Sequence, residues 1–190
     1  MELYFNPRSR ATISKWLLDE AGADYTLVPV DFETRQHKTP EFLAINPAGK
    51  LPALVDGGQR LFESAAIALY IADRHPAANL APAPDSPDRG RYLSLVVYAT
   101  AQLEPAMGDA LLGAETSSSR GWTDYATARG VIERELGDGP WLFGDQFTAA
   151  DILIGSIFIW KRMFGGDSDG ARIDAYVDRL LARPHALRTG

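Results

Sequence analysis

Strand signals in this chain end before His75, and only helical signals follow. That division constrains the fold more than any other feature. "ELYF" (Glu2 to Phe5) is rich in strand formers and is broken by "NPRS". From Ala11, apolar residues recur at Ile13, Trp16, Leu17 and Ala21 with helical period, and Gly22 ends the helix as a C-terminal cap. "YTLVPV" (Tyr25 to Val30) reads as a second strand, at an edge because Pro29 cannot donate to a ladder. Strand, helix and strand form a right-handed βαβ unit if the strands are parallel. Thr39-Pro40 opens a short helix in "PEFLAI", with Thr39 as N-cap and Pro40 at the first helical position. "PALVD" and "QRLFE" flank Gly57-Gly58, a two-residue hairpin signal. Ser64 is expected to cap "AAIALYIADRH", whose Ile67, Tyr70 and Ile71 share one face.

The stretch from Pro76 to Gly90, "PAANLAPAPDSPDRG", holds four prolines and few large apolar residues, as a linker does. Four helical segments follow. The first, "RYLSLVVYATAQLEPAMGDALL", is expected to kink at Pro105. The others are "WTDYATARGVIERELG", "TAADILIGSIFIWKRMF" and "ARIDAYVDRLLARP"; the middle one is apolar on nearly all faces and therefore buried. The expected organisation is an α/β domain over 1–76, a linker over 77–90 and an all-α domain over 91–190.

Bulk properties exclude several functions. The net charge is −6 with no basic run, which disfavours nucleic acid and anionic membrane surfaces. No stretch approaches the ~20 apolar residues that span a bilayer. Met1 leads into "ELYF" without a basic or apolar leader, so no secretory signal is expected. With no cysteine, disulfides, thiolate zinc sites and a cysteine nucleophile are excluded. The three histidines, His37, His75 and His185, lie too far apart for a close-spaced metal motif, and no metal is expected.

"NPAGKLPALV" (Asn46 to Val55) places Pro52 where a strand starts. Together with "ESAAIALYIADR" and "FTAADILIG", it gives the chain a resemblance to the cytosolic glutathione transferases over nearly its whole length. The resemblance implies a thioredoxin-like N-terminal domain and an all-α C-terminal domain. It implies a cis bond before Pro52, which turns the Leu51 backbone outward to pair with an extended peptide. Glutathione, as co-substrate, is that peptide. Glu63 and Ser64, at a helix start where free N–H groups favour anions, correspond to residues that hold its γ-glutamyl end. His37 and Lys50 match the theta-like members' ligands for the glycyl carboxylate, with Lys38 as an alternative basic partner.

The resemblance also implies that one hydroxyl stabilises the thiolate. Ser9, in "NPRSR", matches the catalytic serine of theta-like members; Tyr4 matches the catalytic tyrosine of alpha-like members, with Arg10 as a positive charge nearby. Ser9 is the preferred reading because His37, Lys50 and Glu63-Ser64 follow the theta-like pattern too. Lowering a thiol pKa from about 8.5 by two units requires roughly 3 kcal/mol. A hydrogen bond to a charged group gives about 1.5–3 and a helix N-terminus about 0.3–1, so one well-placed hydroxyl is sufficient.

In the second half, Thr148 and Asp151 form a capping box with Phe147 placed for a hydrophobic staple to Ile152, a structural device. The resemblance puts the acceptor pocket between the domains, with Met107, Trp160 and Phe164 as candidates, and brings Gln102 toward the partner subunit's γ-glutamyl group. It implies a cytoplasmic homodimer that conjugates glutathione to a hydrophobic electrophile in detoxification. The segment "RPHALRTG" is short for the family, which implies a more open acceptor pocket. Competing readings are a non-catalytic glutathione-binding module and a glutathione-dependent dehalogenase, isomerase or peroxidase.

Overall fold

The computed structural model describes residues 1–187. It divides into two compact units, Met1–Ala78 and the chain from Asn79 onward.

In the first unit, β1 (Glu2–Phe5), α1 (Ala11–Glu20) and β2 (Thr26–Pro29) build the expected βαβ element, β1 and β2 being parallel. A Schellman-type closure ends α1: Gly22 N–H donates to Asp19 O at 3.1 Å and Ala23 N–H to Leu18 O at 3.0 Å. Gly22 has φ 61°, which glycine adopts without a Cβ penalty. The short α2 (Pro40–Leu43) starts as expected, Thr39 accepting from Phe42 N–H. Two further strands, β3 (Ala53–Asp56) and β4 (Gln59–Phe62), pair antiparallel across Gly57-Gly58, and α3 (Ser64–Arg74) follows. The sheet order is β2-β1-β3-β4, so β2 with its proline lies at an edge. Helices α1 and α3 pack against each other, burying Trp16, Leu17, Ile67 and Ile71.

In the second unit, α4 (Arg89–Tyr98) runs through a π-turn (Ala99–Leu103) into α5 (Glu104–Leu111). The irregular turn lies just before Pro105, whose ring lacks the N–H that would bond Ala101. Helices α6 (Tyr125–Glu135), α7 (Ala149–Met163) and α8 (Ala171–Leu181) complete the unit. α7 is its buried axis, and Gly155 lets α8 approach so closely that a Cβ there would overlap Leu180. From Asn79 the proline-rich segment is part of this unit: Leu80 is buried and its carbonyl accepts from Ala149 N–H at 2.8 Å.

The capping box forms around Asp151. Oδ2 accepts from Thr148 N–H at 2.8 Å and from its hydroxyl at 3.0 Å; Oδ1 accepts from Leu142 N–H at 2.9 Å and Tyr176 OH at 3.0 Å. Phe147 stacks edge-on with Trp141 and lies under the Arg183 guanidinium, so aromatic and cation–π contacts hold it.

Candidate functional site

A cleft of about 360 Å³ opens in the first unit. Three segments build it: the β1–α1 turn with Arg8, Ser9 and Arg10; the segment after β2 with Phe32 and His37; and the loop before β3 with Gly49, Lys50 and Leu51.

The loop before β3 is held from within. Asn46 is buried; its Oδ1 accepts from Ala48 N–H at 3.0 Å and its Nδ2 donates to Lys50 O at 2.8 Å. Gly49 N–H closes the turn onto Asn46 O at 2.9 Å. The loop ends in a cis Leu51–Pro52 bond, with both residues buried. Neither Leu51 N–H nor C=O has a hydrogen-bond partner among the described residues. A backbone donor and acceptor are thus presented side by side, the arrangement that strand addition uses.

His37 stands edge-on to Phe32 at 4.9 Å, and its buried Nδ1 has no hydrogen-bond partner among the described residues. Burial, then the charges of Lys38, Arg35 and Lys50, push its pKa below the usual histidine value. Lys50 is exposed, and its ammonium has no partner among the described residues. Lys38, the expected alternative, is placed otherwise. Its Nζ donates to Gly49 O at 2.9 Å and Ala48 O at 3.3 Å, so it serves the loop itself.

Ser9 precedes α1. Its hydroxyl donates to Asn6 O at 2.7 Å and accepts from Ala11 N–H at 3.2 Å. Asn6 is pinned by a bond from Nδ2 to Val30 O at 2.8 Å. Oγ therefore has a fixed position, while its proton can swing from a neutral carbonyl to a nearby anion. Tyr4 is not in the cleft wall. Its ring packs edge-on against Phe42 at 5.7 Å, and burial followed by the Glu2 charge raises its pKa.

Glu63 and Ser64 also lie outside the cleft wall, at the start of α3. Glu63, not the expected Ser64, is the helix cap, and Ser64 is the first helical residue. Glu63 has φ 72° and ψ 124°, a strained backbone for a residue with a side chain. The Ser64 hydroxyl makes no capping bond and has no partner among the described residues. A free hydroxyl thus accompanies the unbonded N–H groups of the first turn.

In the second unit the candidates differ in exposure. Met107 is 4% exposed and belongs to the core, Trp160 is half-buried near the end of α7, and Phe164 is 70% exposed just beyond it. Gln102, expected to face a partner subunit, bonds within its own chain: Nε2 donates to Gly121 O at 2.7 Å and Oε1 accepts from Thr123 N–H at 3.1 Å. The last three residues of "RPHALRTG", 188–190, lie outside the described residues. Phe32 and Arg8 in the cleft wall escaped sequence reasoning; "DFET" carries no signal, whereas Arg8's adjacency to Ser9 was one.

Both halves of the chain are similar to known proteins. Residues 1–73 match the glutathione S-transferase N-terminal domain and residues 116–180 the C-terminal domain. Glutathione S-transferase 3 of Zea mays is 35% identical over 166 residues, covering 80% of this chain and 73% of the relative. Glutathione S-transferase GstA of Escherichia coli O157:H7 is 29% identical over 195 residues, covering 97% and 94%. A sphingomonad glutathione S-transferase solved with glutathione superposes with a TM-score of 0.77 at 34% identity, covering 97% of this chain and 94% of that one. Both halves of the chain carry the match, and the chain belongs to the glutathione S-transferase family.

Proposed function

We propose that this glutathione transferase binds the tripeptide along the Leu51 edge and transfers its thiolate to a hydrophobic electrophile. The observation that carries the reading is the convergence of Ser9, Arg10, His37, Lys50 and Leu51 on one cleft. Lys50 and His37 take the glycyl carboxylate, and the Leu51 N–H and C=O pair with the cysteinyl backbone. Glu63, Ser64 and the α3 first turn take the γ-glutamyl end, Glu63 its ammonium and Ser64 its carboxylate. Pro52 fixes the edge that Leu51 presents.

Ser9 supplies the thiolate with a hydrogen bond, while Arg10 and the α1 N-terminus add positive potential. The sulfur then bonds to the electrophilic carbon, and a leaving group, where present, departs with its electron pair. For the acceptor, Trp160 and Phe164 remain the apolar candidates of the second unit, while Met107 is buried on α5. The working form is a cytoplasmic homodimer.

Retention on glutathione-agarose and conjugation of 1-chloro-2,4-dinitrobenzene test this. Both are expected. Retention without turnover would leave a binding module and overturn the transferase; failure to bind would overturn the site.

A further inference from the structure

The cleft carries more positive charge than glutathione uses. The chain as a whole is acidic, with a net charge of −6. Yet Arg8, Arg10 and Lys50 line this one opening, with His37 as a further basic group, and no acidic residue lines it among the described residues. A cleft lined by one sign of charge concentrates ligands of the other. In the reading above, Lys50 and His37 take the glycyl carboxylate and Arg10 supports the thiolate. Arg8 has no part in either.

Arg8 lies at the thiol end. It precedes Ser9 in the β1–α1 turn, and both residues line the cleft. Its N–H donates to Asn6 Oδ1 at 2.9 Å, which fixes its backbone. Its guanidinium pairs with Glu33 Oε1 at 3.5 Å, and the two side chains are 68% and 82% exposed. An exposed pair of this kind contributes only about 0–1 kcal/mol. A guanidinium offers five N–H donors in a fork that matches a carboxylate bidentately. One such contact among the described residues leaves most of the fork open. Phe32 adds an aromatic ring to the same lining.

We propose that Arg8 is a specificity residue for the acceptor: it takes a carboxylate carried by the electrophile, so the favoured substrates are apolar electrophiles with an acid group. This rests on the transferase reading above and narrows its substrate class. The acceptor must approach the sulfur beside Ser9, which brings it to the neighbouring Arg8. A carboxylate there replaces the loose Glu33 contact with paired, charge-assisted hydrogen bonds.

Two aryl chlorides that differ in charge test this, 4-chloro-3,5-dinitrobenzoate and the neutral 4-chloro-3,5-dinitrobenzamide. In both, sulfur bonds to the ring carbon bearing chlorine, chloride leaves with the bonding electron pair, and the thiol proton passes to solvent. Values of kcat/KM, corrected for the uncatalysed reaction, are measured for wild type, Arg8→Gln, Arg8→Lys and Glu33→Gln, each checked by thermal melting. The benzoate-to-benzamide ratio, taken relative to wild type, cancels the difference in intrinsic reactivity. Arg8→Gln is expected to lower it about tenfold, the scale of one charged hydrogen bond. Arg8→Lys keeps the charge without the fork and recovers part of that loss. Glu33→Gln removes the competing carboxylate and raises the ratio about two- to threefold, the scale of an exposed ion pair. Equal losses on both acceptors in Arg8→Gln would make Arg8 a support for the thiolate and overturn the proposal. So would an unaltered ratio. If Arg8→Gln does not fold, Arg8→Lys and Glu33→Gln must still move the ratio in opposite directions, or the proposal fails. A wild-type chain that conjugates neither acceptor defeats the transferase reading itself, so the two failures are distinguishable.

Discussion

Two polar clusters, one in each unit, treat their hydrogen bonds in opposite ways. Around Asp151 every carboxylate oxygen has two donors and the side chain is wholly buried. Around the cleft, His37 Nδ1, the Lys50 ammonium and the Leu51 backbone have no partner among the described residues, and nor does Ser64 Oγ at the α3 start. Buried polar groups in native proteins are almost always paired, so unpaired ones call for a reason. A saturated cluster is a fold element; an unsaturated one at an opening is a surface that a ligand completes. The same principle separates Lys38, whose donors are used by the chain, from Lys50, whose donors are not.

The largest effect is expected where saturation is highest. In Asp151→Asn the amide has one acceptor end, but Leu142 N–H points at Oδ1 and Thr148 N–H at Oδ2. Either orientation sets an NH2 group against a buried N–H. The loss is about 3 kcal/mol, a fall of roughly 10 °C in Tm by thermal melting at pH 7. Burial also pushes the Asp151 carboxyl up to about 6 from 3.8, against its hydrogen bonds, which pull it down. The folded state therefore binds the proton more tightly than the unfolded one. The group contributes most stability at low pH and loses part of it as pH rises through 4 to 6. Asp151→Asn removes that slope. A variant as stable as wild type would break the contrast between the clusters.

The two clusters also differed in how legible they were. The capping box is a local pattern, T-x-x-D, whose residues bond within one helical turn, so the sequence identifies it. The same holds for Gly22 and for the Gly57-Gly58 hairpin, where turn chemistry is set by neighbours. The cleft joins residues from three loops, and periodicity cannot show which side chains converge. Resemblance supplied Ser9, His37 and Lys50, but not Phe32, which only the packing of the segment after β2 brings against His37. Helix capping at Ser64 failed because a positive φ at Glu63 shifts the cap by one residue, and a non-glycine sequence gives no sign of that. Lys38 and Lys50 look alike as exposed cations; only the convergence of two carbonyls distinguishes them.

A smaller effect sharpens the comparison within the cleft. Ser9→Ala removes a donor whose oxygen is already positioned by Ala11 N–H, without disturbing Asn6, which Val30 holds independently. The thiolate of bound glutathione, followed by ultraviolet absorbance, is expected to form at higher pH, with activation weakened by about 1.5–3 kcal/mol. Tyr4→Phe is expected to leave that titration in place, since Tyr4 packs on Phe42 and holds its own proton more tightly than usual. The reverse pattern would move the chemistry to Tyr4.

The smallest effect has the opposite sign to that of Asp151. Burial and the surrounding cations hold His37 below its ordinary pKa. The unfolded chain therefore protonates first as pH falls. His37 contributes stability at neutral pH and loses it as pH drops through the unfolded value near 6.5 toward the lower folded one. In glutathione-free protein, His37→Gln is expected to flatten this acid-side loss in Tm measured from pH 7 to 5. Saturating glutathione has a related effect in wild type. A carboxylate beside His37 offsets the cations and raises its pKa, so the tripeptide binds more tightly as pH falls through that range. γ-Glutamylcysteine, without the glycyl carboxylate, shows no such gain. Equal pH dependence for the two peptides would remove His37 from the glycyl end and leave Lys50 to hold it alone.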